Sequence, residues 1–177
     1  MSLLQPAAIV DVDGTLVNVT GVRHYVLGDR NHKDFDHFHL GAAYCPPVPG
    51  VIEAVQELHE RGYRIVIVTA RKRQWEYLTR IWLRKWGVPY DELHMRGNSD
   101  ARKDVLVKSD ILAMLREKYD IRVAYDDNPS VIALWESEGI PVVKIPGWIE
   151  SLDQDYSDPE PYVTFRPRST DLPLENR

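Results

Sequence analysis

The chain is poor in cysteine: Cys45 is the only one among 177 residues, so no intrachain disulfide is available and nothing points to an oxidising compartment. It also lacks any apolar run of the length needed to span a bilayer. The opening segment, MSLLQPAAIV, has no basic stretch and turns into a strand pattern with Pro6 inside it, which is not the make-up of a signal peptide. A soluble, cytoplasmic protein with no membrane contact is therefore expected. No Gly-x4-Gly-Lys-Ser/Thr phosphate loop occurs, so nothing supports an ATP-dependent kinase, and no internal repeat is visible.

What is present fits one compact domain: 44% of the residues are hydrophobic and 28% are charged. The net charge of -5 is uneven. From Glu150 onward seven acidic residues stand against three arginines, whereas residues 71 to 108 hold ten Lys and Arg against five Asp and Glu. Such a basic segment suits an anionic ligand, although runs of this kind are often ordinary solvated helix faces. Residues 150 to 177 form an acidic, proline-containing tail of little periodicity, expected to be extended or disordered, with Tyr162, Val163 and Phe165 as the residues that would dock it on the body.

Five short β-branched runs recur: AAIVDV (7 to 12), RIVIVTA (64 to 70), ELHM (92 to 95), RVAYDD (122 to 127) and PVVKI (141 to 145). Between them lie segments with helical spacing. PGVIEAVQELHERG places Val51, Ile52, Val55 and Leu58 on one face and stops at Gly62, and QWEYLTRIWLRKWG aligns Trp75, Leu78, Trp82 and Trp86 and stops at Gly87. The residues from Asp104 to Tyr119 and from Pro129 to Gly139 supply two more helices. Strands that alternate with helices predict an α/β fold with a parallel sheet covered on both faces, in which ligands bind at the carboxyl ends of the strands. The tryptophan stripe reads as core.

Those strand ends hold chemistry. AAIVDVDGT closes an apolar run with Asp11 and Asp13, two charges close together and partly out of water, and a bound cation is one candidate for what compensates them. Asp-x-Asp-Gly-Thr arises by chance in roughly one chain per thousand of this length. A polar turn is the plainer reading of that motif. Thr69-Ala70-Arg71 follows the second strand, where a hydroxyl, backbone N–H groups and a guanidinium can hold phosphate oxygens; alone, Thr69 would be a helix cap. Lys108 lies early in its helix, with Asp104 one turn before it as the expected partner of its ammonium, a spacing equally served by a surface ion pair. Asp126-Asp127 ends the fourth strand as a second carboxylate pair, ahead of Asn128-Pro129.

The ordered set DVDGT, VTAR, RKDVLVK and YDDNPSVIALWESEGI resembles the haloacid dehalogenase (HAD) superfamily of phosphatases over roughly residues 7 to 147. With RGYRIVIVTAR and AYDDNPSVIALWESEGIPVVKIPG, it is most similar to the 3′-phosphatase domain of phage polynucleotide kinase/phosphatase. The resemblance implies a Rossmann-like three-layer sandwich of about five parallel strands, with a phosphatase domain over residues 1 to 149. It implies Asp11 as the nucleophile that becomes an aspartyl-phosphate, and Asp13 as the acid for the leaving oxygen and then the base for water. Mg2+ would be held by Asp11, the Asp13 backbone carbonyl and Asp126, with Asp127 at the metal or just behind it. Thr69 and Lys108 would bind the phosphoryl oxygens. The superfamily's dehalogenases lack the second acid, since a halide leaves without a proton; Asp13 thus favours phosphate esters.

About 35 residues separate Asp13 from the helix at Pro49, and no large insertion follows. In this superfamily inserted caps enclose small metabolites, so a minimal flap over about residues 16 to 48 implies an open site for a large substrate. The resemblance then points to Mg-dependent removal of terminal 3′-phosphates from DNA or RNA, with Arg23, Arg71 and Arg102 as candidate substrate arginines beside Ala70 and Asp104. A separate kinase or ligase would complete such end healing. A phosphatase for free nucleotides or another small phosphoester is the alternative, and a catalytically silent module that binds phosphate ends is a third reading. His24, His32, His37, His39 and Cys45 match no familiar structural zinc spacing and are expected to meet substrate or solvent. Tyr25, Phe35 and Phe38 are the flap's candidates for base stacking.

Overall fold

A computed structural model describes residues 4–28 and 32–147. The expected tail from residue 150, with Tyr162, Val163 and Phe165, lies outside the described residues. Strand β1 spans Gln5–Val10, β2 Arg64–Lys72, β3 Glu92–Arg96, β4 Tyr119–Asp126 and β5 Val142–Lys144. They form one parallel sheet in the order β3-β2-β1-β4-β5. The order reverses between β1 and β4, so their carboxyl ends, where Asp11 and Asp126 sit, flank the crevice that this topology leaves open.

The side-chain alternation of β1 builds both layers. Ala8 and Val10 face one core with Val55, Leu58, Trp82 and Leu83, whereas Ala7 and Ile9 face the other with Val107, Leu115, Val131 and Trp135. The first core lies under helices α2 (Val51–Glu60) and α3 (Glu76–Lys85), and the second under α4 (Asp104–Arg116) and α5 (Pro129–Ser137). Each fully buried Leu or Ile contributes roughly 1.5–3 kcal/mol, which is why the continuous apolar strands settle in the middle layer. The chain is thus the three-layer α/β sandwich that the alternation predicts.

Several boundaries differ from the sequence reading. β4 starts at Tyr119, three residues earlier, because Gln5 and Pro6 extend β1 and pair with it through a register shift at Ala7/Ala8. The flap is folded: a 3-10 helix over Thr20–Tyr25 precedes α1 (Phe35–Ala42), whose N-cap Asp34 accepts from His37 N at 3.0 Å. Its base is closed by Asn18 N to Pro46 O at 2.9 Å and Val48 N to Leu16 O at 2.8 Å. Val19, Val26, Phe38 and Ala42 join the first core, and Trp82 Nε1 donates to Cys45 O at 2.8 Å, so the flap rests on the body.

The tryptophan stripe also needs correction. Trp82 is fully buried and Trp86 packs against the same core, but Trp75 ends a 3-10 turn over Arg73–Trp75 and lines a cleft. A 3-10 turn advances 120° per residue instead of 100°, and the phase change takes Trp75 off the α3 stripe.

Candidate active site

At the carboxyl edge of β1 and β4 four buried groups meet. Asp11, whose N–H donates to Tyr125 O at 3.0 Å, follows β1, while Asp126 ends β4 and Asp127 comes next. Lys108, from the second turn of α4, donates to Asp11 Oδ1 at 2.7 Å and to Asp126 Oδ2 at 2.8 Å. Asp126 Oδ2 also accepts from Trp135 Nε1 at 3.2 Å, and its Oδ1 accepts from Asn128 N at 3.1 Å. Thr15 Oγ1 donates to Asp127 Oδ1 at 3.3 Å, whereas Asp127 Oδ2 is buried without a hydrogen-bond partner.

Oxygens of Asp11, Asp126 and Asp127 lie within 4.8 Å of one another, so three buried carboxylates face one ammonium. Burial pushes the Asp11 carboxyl well above its usual range; Lys108 opposes this, and Asp126 and Asp127 reinforce it. Burial and then Asp126 push Asp127 up to about 7. Lys108 is driven the other way: burial disfavours its charge, but Asp11 and Asp126 together raise its pKa. A hard-oxygen donor set with surplus negative charge and an orphaned carboxylate oxygen fits a divalent cation. Gly14 makes the cluster possible. Its φ is +85°, and a Cβ there would lie 2.0 Å from Asp127 Oδ2, so the Gly of the Asp-Gly-Thr turn leaves the volume that Asp127 occupies.

Asp13 stands apart from this cluster. The buried Arg71 grips it through Nε to Oδ2 at 2.7 Å and Nη2 to Oδ1 at 2.5 Å, while Nη1 donates to Thr79 Oγ1 at 3.1 Å. Thr79 Oγ1 in turn donates to the Trp75 carbonyl at 2.9 Å. Burial pushes the Asp13 carboxyl up, but the charge and hydrogen bonds of Arg71 outweigh it and hold Asp13 below its usual value. From the flap, His39 brings Nδ1 to 3.8 Å from Asp13 Oδ2, and burial lowers its pKa to about 4, so the ring is neutral.

A cleft of about 820 Å3 opens over these groups, with Asp11, Asp13, Thr69, Lys108 and Asp127 in its lining. Thr69 is buried and accepts from Arg71 N at 3.2 Å; Ala70 also lines the cleft. Arg102 lies at the exposed mouth, paired with Asp100 at 2.8 Å and Asp110 at 2.9 Å. Arg23 is buried in the flap's 3-10 helix, and the described residues that line the cleft do not include it. His24, His32 and His37 are exposed.

The expected Asp104–Lys108 pair does not form. Asp104 Oδ1 accepts from Arg96 Nη2 at 2.5 Å, and Lys108 turns inward. An i,i+4 pair on a helix surface contributes only tenths of a kcal/mol, far less than an ammonium relieves between two buried carboxylates. Arg96 itself escaped the sequence reading. Its Nε donates to Ala70 O at 2.9 Å and Nη1 to Arg102 O at 2.5 Å, tying the loop before α4 to the end of β2. Thr15 and Trp135 were also missed; each stands inside a motif already singled out, which was the available signal. Nothing in the local pattern marks Arg96 or Thr79, whereas His39, one of the flap histidines expected to meet substrate or solvent, lines the cleft beside Asp13.

A buried carboxylate bonded to a buried lysine, within an acidic cluster on this sheet edge, is the site of a HAD-type phosphatase, a phosphoric monoester hydrolase. The family model of the polynucleotide kinase PNKP phosphatase domain matches residues 5–147, and the chain belongs to that family. Phosphatases of this superfamily generally use a divalent metal, which the Asp11, Asp126 and Asp127 cluster can hold. A protein of Autographa californica nuclear polyhedrosis virus that carries the name of a bifunctional polynucleotide kinase/RNA ligase is 28% identical over 139 residues, covering 77% of this chain and 19% of its own length. A chain of the Pnkp1/Rnl/Hen1 RNA repair complex superposes with a TM-score of 0.67 at 26% identity, over 80% of this chain and 42% of that one. The class C acid phosphatase from Bacillus anthracis shares the fold, with a TM-score of 0.63 at 16% identity over 83% of this chain and 69% of that one. The chain thus spans about a fifth of the viral relative and about two fifths of the repair-complex chain.

Proposed function

We propose that this protein removes terminal 3′-phosphates from polynucleotides, with Mg2+ as its cation and Asp11 as its nucleophile. The observation that carries the reading is Asp11 bonded to Lys108 and clustered with the Asp126–Asp127 pair, in a cleft whose lining exposes Lys33, Lys72, Arg102 and Lys103. Cations at the rim suit a backbone of phosphates, and no cap domain beyond the flap stands over the site among the described residues. Kinship with proteins named for polynucleotide kinase, RNA ligase and RNA repair supports nucleic-acid ends as substrate and a separate kinase or ligase as partner.

In this reading Lys108 holds Asp11 Oδ1, which leaves Oδ2 for attack. The Asp11 oxygen bonds to phosphorus as the P–O3′ bond breaks, and Asp13 gives its proton to O3′. Water then attacks the aspartyl-phosphate, Asp13 takes its proton, and Asp11 and inorganic phosphate are released. Thr69 and Lys108 contact the phosphoryl oxygens on which charge is spread. A bound Mg2+ would neutralise charge between the carboxylate and the phosphate dianion.

The test is phosphate release from a 3′-phosphorylated oligonucleotide and from a 3′-mononucleotide, both with magnesium. A higher kcat/KM on the oligonucleotide, falling with added salt, is expected. Equal turnover would instead favour small phosphoesters. Similarity to a Bacillus cereus protein that carries the name of a nucleotidase, 27% identical over 89 residues, speaks for that alternative.

A further inference from the structure

From the geometry we infer that Trp75, His39 and Phe35 form a cradle that receives the terminal nucleobase of the strand whose phosphate is removed. The inference rests on the polynucleotide reading above and adds where the leaving nucleoside lies.

The three rings form one wall of the cleft. The ring centroids of His39 and Trp75 are 5.8 Å apart at 46°, and those of Phe35 and His39 are 6.3 Å apart at 29°. Phe38, in the core, backs His39 edge-on at 5.1 Å and 70°. Phe35 is 53% exposed, and Trp75 is half-buried. Two aromatic surfaces are thus open to an incoming ring, on either side of the buried His39 imidazole.

Position makes the wall specific. The acid that protonates the leaving oxygen must touch it, and that acid, Asp13, has His39 Nδ1 at 3.8 Å. The leaving oxygen belongs to the terminal nucleoside, so its sugar stands beside Asp13 and its base reaches the rings next to it. Lys72 and Lys33, three residues from Trp75 and two from Phe35 in sequence, also line the cleft and are exposed, suited to the phosphate that precedes the terminal nucleoside. Base stacking on an aromatic side chain needs an unpaired base and tolerates any base, so the occupant is the end of a single strand.

The backbone position of Trp75 matters separately, since its carbonyl accepts from Thr79, which in turn accepts from Arg71. Replacing the indole leaves that carbonyl in place, and Phe35 is exposed enough to be replaced without disturbing the core.

The experiment measures kcat/KM on two single-stranded 3′-phosphorylated oligonucleotides of equal length, one ending in an ordinary nucleotide and one in a base-free tetrahydrofuran analogue. The wild-type protein is expected to prefer the base-bearing end by about tenfold. Trp75→Ala and Phe35→Ala should each bring that preference toward one, by slowing the base-bearing substrate more than the base-free one, and Trp75→Phe should keep most of it. Equal turnover of both ends by the wild type, or equal slowing of both by Trp75→Ala, overturns the cradle. If neither oligonucleotide is turned over while a nucleoside 3′-monophosphate is, the polymer reading falls. The same comparison is then made between that nucleotide and ribose 3-phosphate: a base preference abolished by Trp75→Ala upholds the cradle, and its absence overturns it.

Discussion

Arg71 and Asp13, 58 residues apart in sequence, are joined by two parallel hydrogen bonds of 2.7 and 2.5 Å. The planar guanidinium matches the carboxylate and favours its ionised form, so the resting site holds Asp13 as a base. Work as an acid requires Asp13 to carry a proton, against the pull of Arg71. Arg71, which the sequence offered as a phosphate ligand, therefore has a geometry directed at Asp13.

The pH profile follows from that pairing. Without Arg71, burial is left to push the Asp13 carboxyl upward. The limb of kcat/KM that falls as Asp13 loses its proton should move to higher pH in Arg71→Met, and by less in Arg71→Lys, alongside a lower maximum. A pH–rate series on the three proteins checks this. A limb that stays in place would mean that Arg71 does not set the ionisation of Asp13.

Metal binding should couple to pH through Asp127, whose pKa is raised from 3.8 to about 7 in the folded protein. As pH rises between those values the unfolded chain loses its proton and the folded one keeps it. The metal-free protein therefore loses stability across that window, by up to about 1.4 kcal/mol per pH unit. A cation held by the ionised carboxylates removes the penalty above pH 7 and must displace protons below it. Thermal unfolding with chelator or excess magnesium should show a larger rise in Tm at pH 8 than at pH 5.5, and equal shifts would contradict the assignment of the cluster.

Among the described residues Lys108 is the one cation bonded to both Asp11 and Asp126. In Lys108→Met the three carboxylates face each other without it, and unfolding in chelator should show a loss of ~3–5 kcal/mol. Added magnesium should restore part of this, while kcat stays at least about a hundredfold down because the phosphoryl oxygens have lost a donor. Full activity in this variant would remove Lys108 from the chemistry.

Gly14 and Gly139 separate strain from site geometry. Both have positive φ, +85° and +74°, but only at Gly14 does a new Cβ meet Asp127. Gly14→Ala and Gly139→Ala should each destabilise the protein by about 1 kcal/mol from backbone strain. Gly14→Ala should in addition lower kcat at least tenfold and weaken magnesium binding, whereas Gly139→Ala should do neither. A steady-state assay beside thermal melts distinguishes the two.

Alternation along β1 makes the two-layered core legible, and the motifs that hold Asp11, Asp13, Lys108, Asp126 and Asp127 mark groups that the fold brings to one sheet edge. The first reading rests on short-range periodicity, and the second on the order of short motifs at strand ends and the resemblance they carry. What stayed hidden depends on partners far apart: Arg71 with Asp13, Arg96 with Asp104 and Ala70, and His39 of α1 beside the acid. Trp75 was misplaced because one 3-10 turn shifts the phase of a helix by more than a pattern of apolar residues can reveal. The buried face of the eight-residue α1 is Phe38, His39 and Ala42, a short stripe that a histidine interrupts, and its Asp34 cap becomes evident only with the fold.

The central claim is that Asp11 takes the phosphoryl group from a 3′ end. Rapid quenching of the magnesium-loaded protein, mixed with an oligonucleotide radiolabelled in its 3′-phosphate, tests it most directly. The account predicts an acid-stable, hydroxylamine-sensitive label on the wild-type protein before phosphate appears, and none on Asp11→Asn. A label of equal size on Asp11→Asn, or normal phosphate release by that variant, would contradict it.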